Sequence, residues 1–171
     1  MKKKLLVLFA VLLLLTVFAS CKKVSNVDAD IDLSGYWNDD DIRVVCNTLI
    51  EDCLANPEVD RAIKAKDGPK VIVGNFRNES SEHFDMSVIP AIMKEVILKN
   101  GKLDVAVQEN GNEADFMLTG SLKTVFEKDG KKDFRTYIVS AEMADTKTAE
   151  YVWMGSNRQI KKAIVRQKTT L

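Results

Sequence analysis

Residues 71–101 of the chain, VIVGNFRNESSEHFDMSVIPAIMKEVILKNG, set an apolar run, a polar stretch and an amphipathic segment in direct succession. Val71, Ile72 and Val73 stand side by side between Gly68-Pro69 and Asn75, which suits a strand covered on both faces, in the middle of a sheet. Ile89, Ile92, Met93, Val96 and Ile97 recur at the spacing of one helix face, and Asn100-Gly101 supplies a left-handed stop. Either Asp85 or Ser87 suits the helix start. With Ser87 as cap, Pro90 is the third helical residue, where its missing N–H costs nothing, and a proline deeper in would be costly, so the helix begins no earlier than Asp85. Between strand and helix, Asn75 to Asp85 is too polar for a core and holds the one histidine of the chain, His83. This loop is the first candidate for function.

At the N-terminus, Lys2, Lys3 and Lys4 precede the apolar run Leu5 to Phe18. That run is shorter than the roughly 20 residues a membrane-spanning helix needs and reads as an export signal. Phe18-Ala19-Ser20-Cys21 puts two small residues before a cysteine and resembles a bacterial lipobox, with phenylalanine where leucine is usual. The resemblance implies cleavage before Cys21 and lipidation of its thiol; the alternative is an ordinary secretory signal with Cys21 free or disulfide-bonded. Lys22 and Lys23 follow, with no aspartate after Cys21, which resembles an outer-membrane address. The reading is therefore an outer-membrane lipoprotein, its domain facing the periplasm.

Removing residues 1–20 takes three lysines and no acid from a chain whose 25 basic and 25 acidic residues balance. The remainder is slightly acidic, so the footprint of a nucleic-acid binder is absent. Four segments follow: a signal peptide at 1–20, a short lipidated tether at 21–34, a single domain at 35–160 and a basic tail at 161–171. Fully extended, the tether reaches roughly 45 Å.

Within the domain, Ile42, Val45, Cys46, Leu49, Ile50, Cys53 and Leu54 predict a helix over Asp39–Ala55, with Asp39, Asp40 and Asp41 at its positive end. Seven helical residues rise about 10.5 Å, too far for Cys46 and Cys53 to pair, so both read as small core residues. Asn56-Pro57 breaks that helix and opens a shorter one to about Lys66. After the third helix come a strand at Leu103–Gln108, a turn at Asn110-Gly111-Asn112 and a long strand from about Asp115 to Glu127. In that strand Phe116, Leu118 and Leu122 alternate with polar positions, and Gly120 marks a close approach or bulge. Asp129-Gly130 predicts a hairpin, Phe134–Ala144 the return strand, and Tyr151–Ile160 a last strand with Tyr151 and Trp153 on one side. The fold class expected is α+β: a mostly antiparallel sheet of about four to five strands flanked by helices and ending in a three-stranded meander.

These pieces resemble the LpoB-type lipoproteins that activate penicillin-binding proteins. The resemblance is carried by Leu49-Ile50-Glu51-Asp52-Cys53-Leu54, by VIVGNFRNESSEHFD, by Ile97-Leu98-Lys99-Asn100-Gly101-Lys102, by ADFMLTGSL at Ala114–Leu122, and by Tyr151-Val152-Trp153 after the Asp145–Glu150 turn. It implies a monomeric, non-enzymatic lipoprotein, held to the membrane through Cys21, that docks on the regulatory domain of a bifunctional penicillin-binding protein and raises its activity. Two departures stand out. Better-known members have a long proline-rich tether, whereas no proline precedes Pro57 here, and only Glu109 to Glu113 occupy the place of an extra helical segment. The fold also resembles domains of curli-secretion lipoproteins and the N-terminal domain of TolB-like proteins, which keeps a scaffolding role open.

No Gly-rich phosphate loop, nucleophile elbow or cysteine–histidine signature is present, so no enzyme is expected. No cofactor or metal is expected either. Glu82, His83 and Asp85 suit capping and loop-pinning better than metal ligation. The candidate partner-binding residues are Asn75, Arg77, Asn78, Glu82 and His83, and Asn75, Arg77 and Asn78 serve loop backbone groups equally well.

Overall fold

The computed structural model describes residues 37–107, 114–130 and 132–164. The leader, Cys21, the tether, the 110–112 turn and the tail beyond residue 164 lie outside the described residues.

Helix α1 (Asp39–Ala55) starts on a reciprocal cap: Asn38 Oδ1 accepts from the Asp41 N–H at 2.9 Å and Asp41 Oδ2 from the Asn38 N–H at 3.0 Å. Its seven predicted apolar residues are all buried. Cys46 and Cys53 are among them and both are free, one helix too long to bridge. Burial pushes their thiols up to about 12, with the Asp52 charge adding to the effect at Cys53. Helix α2 (Pro57–Lys64) is capped by Asn56, whose Oδ1 accepts from the Glu58 N–H at 2.9 Å. Strand β1 (Lys70–Asn78) leads through the polar loop to α3 (Val88–Asn100). There Pro90 is the third helical residue, and Gly101 closes the helix at φ 78°. No helix among the described residues is long and apolar enough to cross a membrane.

Strands β2 (Asp104–Val105), β3 (Phe116–Asp129), β4 (Lys132–Asp145) and β5 (Tyr151–Ala163) complete the sheet, in the order β2-β1-β3-β4-β5. The expectation of a mostly antiparallel sheet is corrected: the sheet is mixed. β1 pairs in parallel with both β2 and β3, while β3–β4 and β4–β5 pair antiparallel. The reason lies in α3. A helix between two neighbouring strands returns the chain to the end it left, so β2 must run parallel to β1. β1 does lie inside the sheet, with Val71, Ile72 and Val73 all buried.

The three helices share one face. Their apolar residues form a single core with Phe116, Leu118, Leu122, Tyr137, Val139, Ala141, Met143 and Trp153. At the centre of that face Phe76 lies across Gly120; a Cβ there would sit 2.4 Å from the Phe76 ring and 2.1 Å from the Ser140 carbonyl oxygen. This is the close approach that the glycine in mid-strand announced.

Three further boundaries move. Asp129 pairs with Lys132, so the hairpin connection falls one residue later than 129–130. The pairing of β4 with β5 slips between Met143 and Ala144, which turns Tyr151 out to solvent while Trp153 stays buried, against the expected shared side. Residues 161–163 belong to β5 rather than to the tail. Lys162 is only 2% exposed, because its Nζ lies 2.7 Å from Asp41 Oδ2 at the α1 N-terminus.

At the other end of the sheet, Asp145 organises the β4–β5 turn. Its Oδ1 accepts from the Lys147 and Thr148 N–H groups at 2.8 and 3.1 Å, and its Oδ2 from Lys66 Nζ at 2.8 Å. These donors, Lys66 first and the Lys147 N–H second, hold the carboxyl down at about 2. A carboxylate with a lowered folded pKa stabilises the fold above its ordinary value near about 4. That contribution is lost as pH falls through the folded value. Asp145→Asn is accordingly expected to flatten the loss of stability between about pH 4 and pH 2, read by denaturant titration at each pH; an unchanged acid limb counts against the ion pair. Gly120→Ala is expected to cost about 1–3 kcal/mol by overpacking, lowering the denaturant midpoint at constant slope.

Candidate functional site

The loop after β1 is pinned by its own side chains. Asn78 Oδ1 accepts from the Ser80 N–H at 2.9 Å and its Nδ2 donates to the Glu82 carbonyl at 2.6 Å, while Ser80 Oγ accepts from the Glu82 N–H at 3.1 Å. Asp85 Oδ1 accepts from both the N–H and the hydroxyl of Ser87, at 3.0 and 2.5 Å. The Ser87 hydroxyl, then its N–H, holds the Asp85 carboxyl below the usual range. Of the two expected caps, Ser87 occupies the capping position with no side-chain bond to the helix, and Asp85 fixes Ser87 instead.

The same pinning turns Glu82 inward. Its carboxylate accepts from the Tyr137 hydroxyl at 2.9 Å and pairs with Arg135, both charged groups being mostly shielded from solvent. Trp37 and Phe84 each pack edge to face on Tyr137, at centroid distances of 5.1 and 6.0 Å. Burial is the main cause that pushes the Tyr137 phenol up. Glu82 is therefore part of the fold's support.

The five candidates do not form one site. Asn78 and Glu82 hold the loop; Asn75, Arg77 and His83 are exposed. His83 and Glu82 point to different surroundings, and no group of three metal-ligating side chains is found among the described residues.

Arg77 belongs to a second surface. On the sheet face away from the helices, strand register aligns Arg77, Ser121, Ser140 and Ser156 across four strands. The adjoining row sets Thr119, Glu142 and Met154 side by side, with Thr119 Oγ1 donating to Glu142 Oε1 at 3.2 Å. All of these except Thr119, with Gly120, Ala141 and Gly155, line a groove of about 370 Å³. Arg77 has a side chain 76% exposed and one loose ionic contact, to Glu79 at 3.6 Å. Met154, 68% exposed, forms part of the lining. The floor is of small residues with hydroxyls, and a guanidinium and a carboxylate share its lining. It suits a polypeptide segment that brings its own charged and apolar side chains.

Ser121, Ser140, Ser156, Glu142 and Met154 were not among the sequence candidates. Their alternation placed Ser121 on a polar strand face, but the row exists only through the pairing register, which two slips in β4–β5 and one in β1–β3 determine.

The family model of the peptidoglycan-synthase activator LpoB matches residues 41–114. A comparison with curated protein sequences finds no match. Among solved structures, the LpoB C-terminal domain from Salmonella enterica is similar with a TM-score of 0.53 at 12% identity, over 74% of this chain and 99% of that one. The LpoB C-terminal domain from Escherichia coli gives 0.48 at 13% identity, with the same coverage of 74% and 99%. A PelC dodecamer from Paraburkholderia phytofirmans gives 0.40 at 20% identity, over 53% and 72%. At such identities the Salmonella likeness speaks for the fold. The match across residues 41–114 makes that stretch, less than half of the chain, similar to the LpoB family.

Proposed function

We propose that the chain is an envelope lipoprotein whose head binds and activates a bifunctional peptidoglycan synthase, a penicillin-binding protein, through that enzyme's regulatory domain. Lipid on Cys21 holds it to the outer membrane, facing the periplasm, and the head acts as a monomer without catalysis of its own. What supports the reading is the groove on the uncovered sheet face, edged by the exposed Arg77, in a chain similar to the LpoB family over residues 41–114.

The docking surface in this reading is the Arg77–Ser156 row and its neighbours. Activation requires only that the head bind the synthase's active state more tightly than its idle one; a tenfold preference corresponds to about 1.4 kcal/mol of coupling. The middle of the groove is a rigid platform for such selection, because β3 and β4 are paired on both sides along it.

The test is glycan polymerisation by the host's bifunctional synthase with and without the protein. A rate rise is expected, and an unchanged rate refutes the reading. Arg77→Ala is expected to weaken synthase binding roughly tenfold, as loss of an arginine anchor does, while leaving stability within about 0.5 kcal/mol. Glu82→Ala is expected to do the reverse in kind. It removes the shielded carboxylate that meets Arg135 and Tyr137, lowering stability by about 3 kcal/mol in a denaturant titration, with activation preserved wherever the head stays folded.

A further inference from the structure

The groove on the open sheet face has two unlike flanks, and strand register orders them. Toward the Asp145 turn lie Thr119, Glu142 and Met154, and beyond these Met117, Ala144 and Tyr151. Met117, Tyr151 and Met154 are all exposed, and Glu142 is engaged by Thr119, so this flank offers apolar surface. Toward the hairpin, alternation along β3 and β4 brings Lys123 and Ile138 onto the same face, one row beyond Ser121 and Ser140. Arg158 follows Ser156 there. It approaches Glu127 at 3.9 Å, and Glu127 alternates onto the face of Ser121 and Lys123.

The cations on that second flank are weakly answered. Lys123 and Arg158 are exposed. Arg158 shares Glu127 with Lys161, which lies closer at 3.0 Å and chiefly holds that carboxyl below its usual range. Arg77 has its loose contact with Glu79. Arg77, Lys123 and Arg158 therefore border the serine row with positive charge to spare. The groove itself is narrow. It runs between the Glu142–Met154 row and the serine row, on a floor formed by the backbones of Gly120, Ala141 and Gly155. Such rows stand roughly 6.6 Å apart, which seats an extended chain and excludes a helix, about 10–12 Å across. From Arg77 on β1 to Ser156 on β5 it crosses three strand spacings, roughly 14 Å, the length of about four extended residues. Successive side chains of an extended chain point to opposite sides, one toward the cations and the next toward Met154.

We propose that this groove takes an extended segment of the partner protein in which acidic and apolar residues alternate. Its acids face Arg77, Lys123 and Arg158, its apolar residues lie on Met154 and Tyr151, and the serine hydroxyls bond to its peptide groups. The inference builds on the reading of this face as the docking surface and adds the charge and conformation of what docks. Glu142 acts by exclusion: a carboxylate turned to its flank meets like charge, which decides the side on which the acids of the segment lie.

The experiment uses the full chain, purified in a nonionic detergent with empty micelles as the blank, and reads the anisotropy of dye-labelled probes. These are a short peptide alternating glutamate and leucine, its lysine counterpart, a peptide of the same composition with its glutamates in one block, and a thymidine oligonucleotide of equal charge. Saturable binding of the alternating glutamate peptide is expected, weakened by salt, with the lysine peptide unbound. Lys123→Glu and Arg158→Glu are each expected to weaken it roughly tenfold or more, because they set like charge against the acids. Met154→Ser is expected to weaken it severalfold. An unbound glutamate peptide overturns the proposal, as does a lysine peptide, a blocked peptide or an oligonucleotide that binds as tightly. Light scattering that finds two chains together, separated by Lys123→Glu, puts a second copy in the groove and overturns it as well. The synthase supplies the separate arm. Binding to it that Arg77→Ala weakens and Lys123→Glu leaves unchanged overturns this proposal and spares the docking reading. A synthase that does not bind, beside a glutamate peptide that does, sinks the docking reading and leaves the groove to another partner of the same chemistry.

Discussion

An ammonium group withdrawn from water costs several kcal/mol unless a carboxylate meets it in good geometry, and Lys162 meets Asp41 at 2.7 Å. That contact ties the last strand to the first helix. Asp41 also completes the cap on Asn38, so one side chain sets where α1 begins and where β5 is held. With the helix start in place, Trp37 falls against Tyr137, whose hydroxyl holds Glu82. The polar loop is thereby secured from below by residues far from it in sequence. A buried ion pair adds less to stability than an apolar pair of its size would, but it admits only one register of β5 against α1. Register is what the outer face of the sheet requires, since a slip by one residue turns its serines into the core.

The molecule thus divides its polar residues between two kinds of work. Glu82, Arg135, Asn78 and Asp85 are spent on holding backbone and burying charge; each has partners within the fold. Arg77, Glu142 and the serine row look outward on a surface that no helix among the described residues covers. The loop that attracts attention for its polarity is mainly structural, and the plainer alternating positions of four strands line the groove.

Much of this was legible before the structure. Helical periodicity gave all three helices and the Gly101 stop, because a helix's pattern is local; the cap of Asn38 on α1 was not read, and Ser87 makes no capping bond. Gly120 disclosed a close approach, though not that Phe76 makes it. Pairing was harder to read. The parallel contacts of β1 depend on where α3 delivers the chain, which no residue of β1 records. Tyr151 was misplaced because a slip in a strand's pairing reverses the two-residue alternation beyond it, and nothing in Tyr151-Val152-Trp153 announces one. Lys162 was assigned to the tail because a lysine carries an outward expectation that only a distant aspartate overturns. The resemblance to the LpoB family rested on order and spacing and survived these errors, since it concerned the local elements.

The fate of Cys46 and Cys53 has a consequence for a protein expected beyond the cytoplasm. With thiols raised to about 12, only on the order of one molecule in a hundred thousand carries the thiolate at neutral pH, and the helix keeps the two sulfurs apart. Oxidants have almost nothing to attack while the head is folded. Once it opens, both sulfurs become ordinary and free to bridge, locking the opened chain away from its native shape. In an oxidising space the two cysteines therefore make opening harder to reverse, and the lifetime of the head there depends on how seldom it opens.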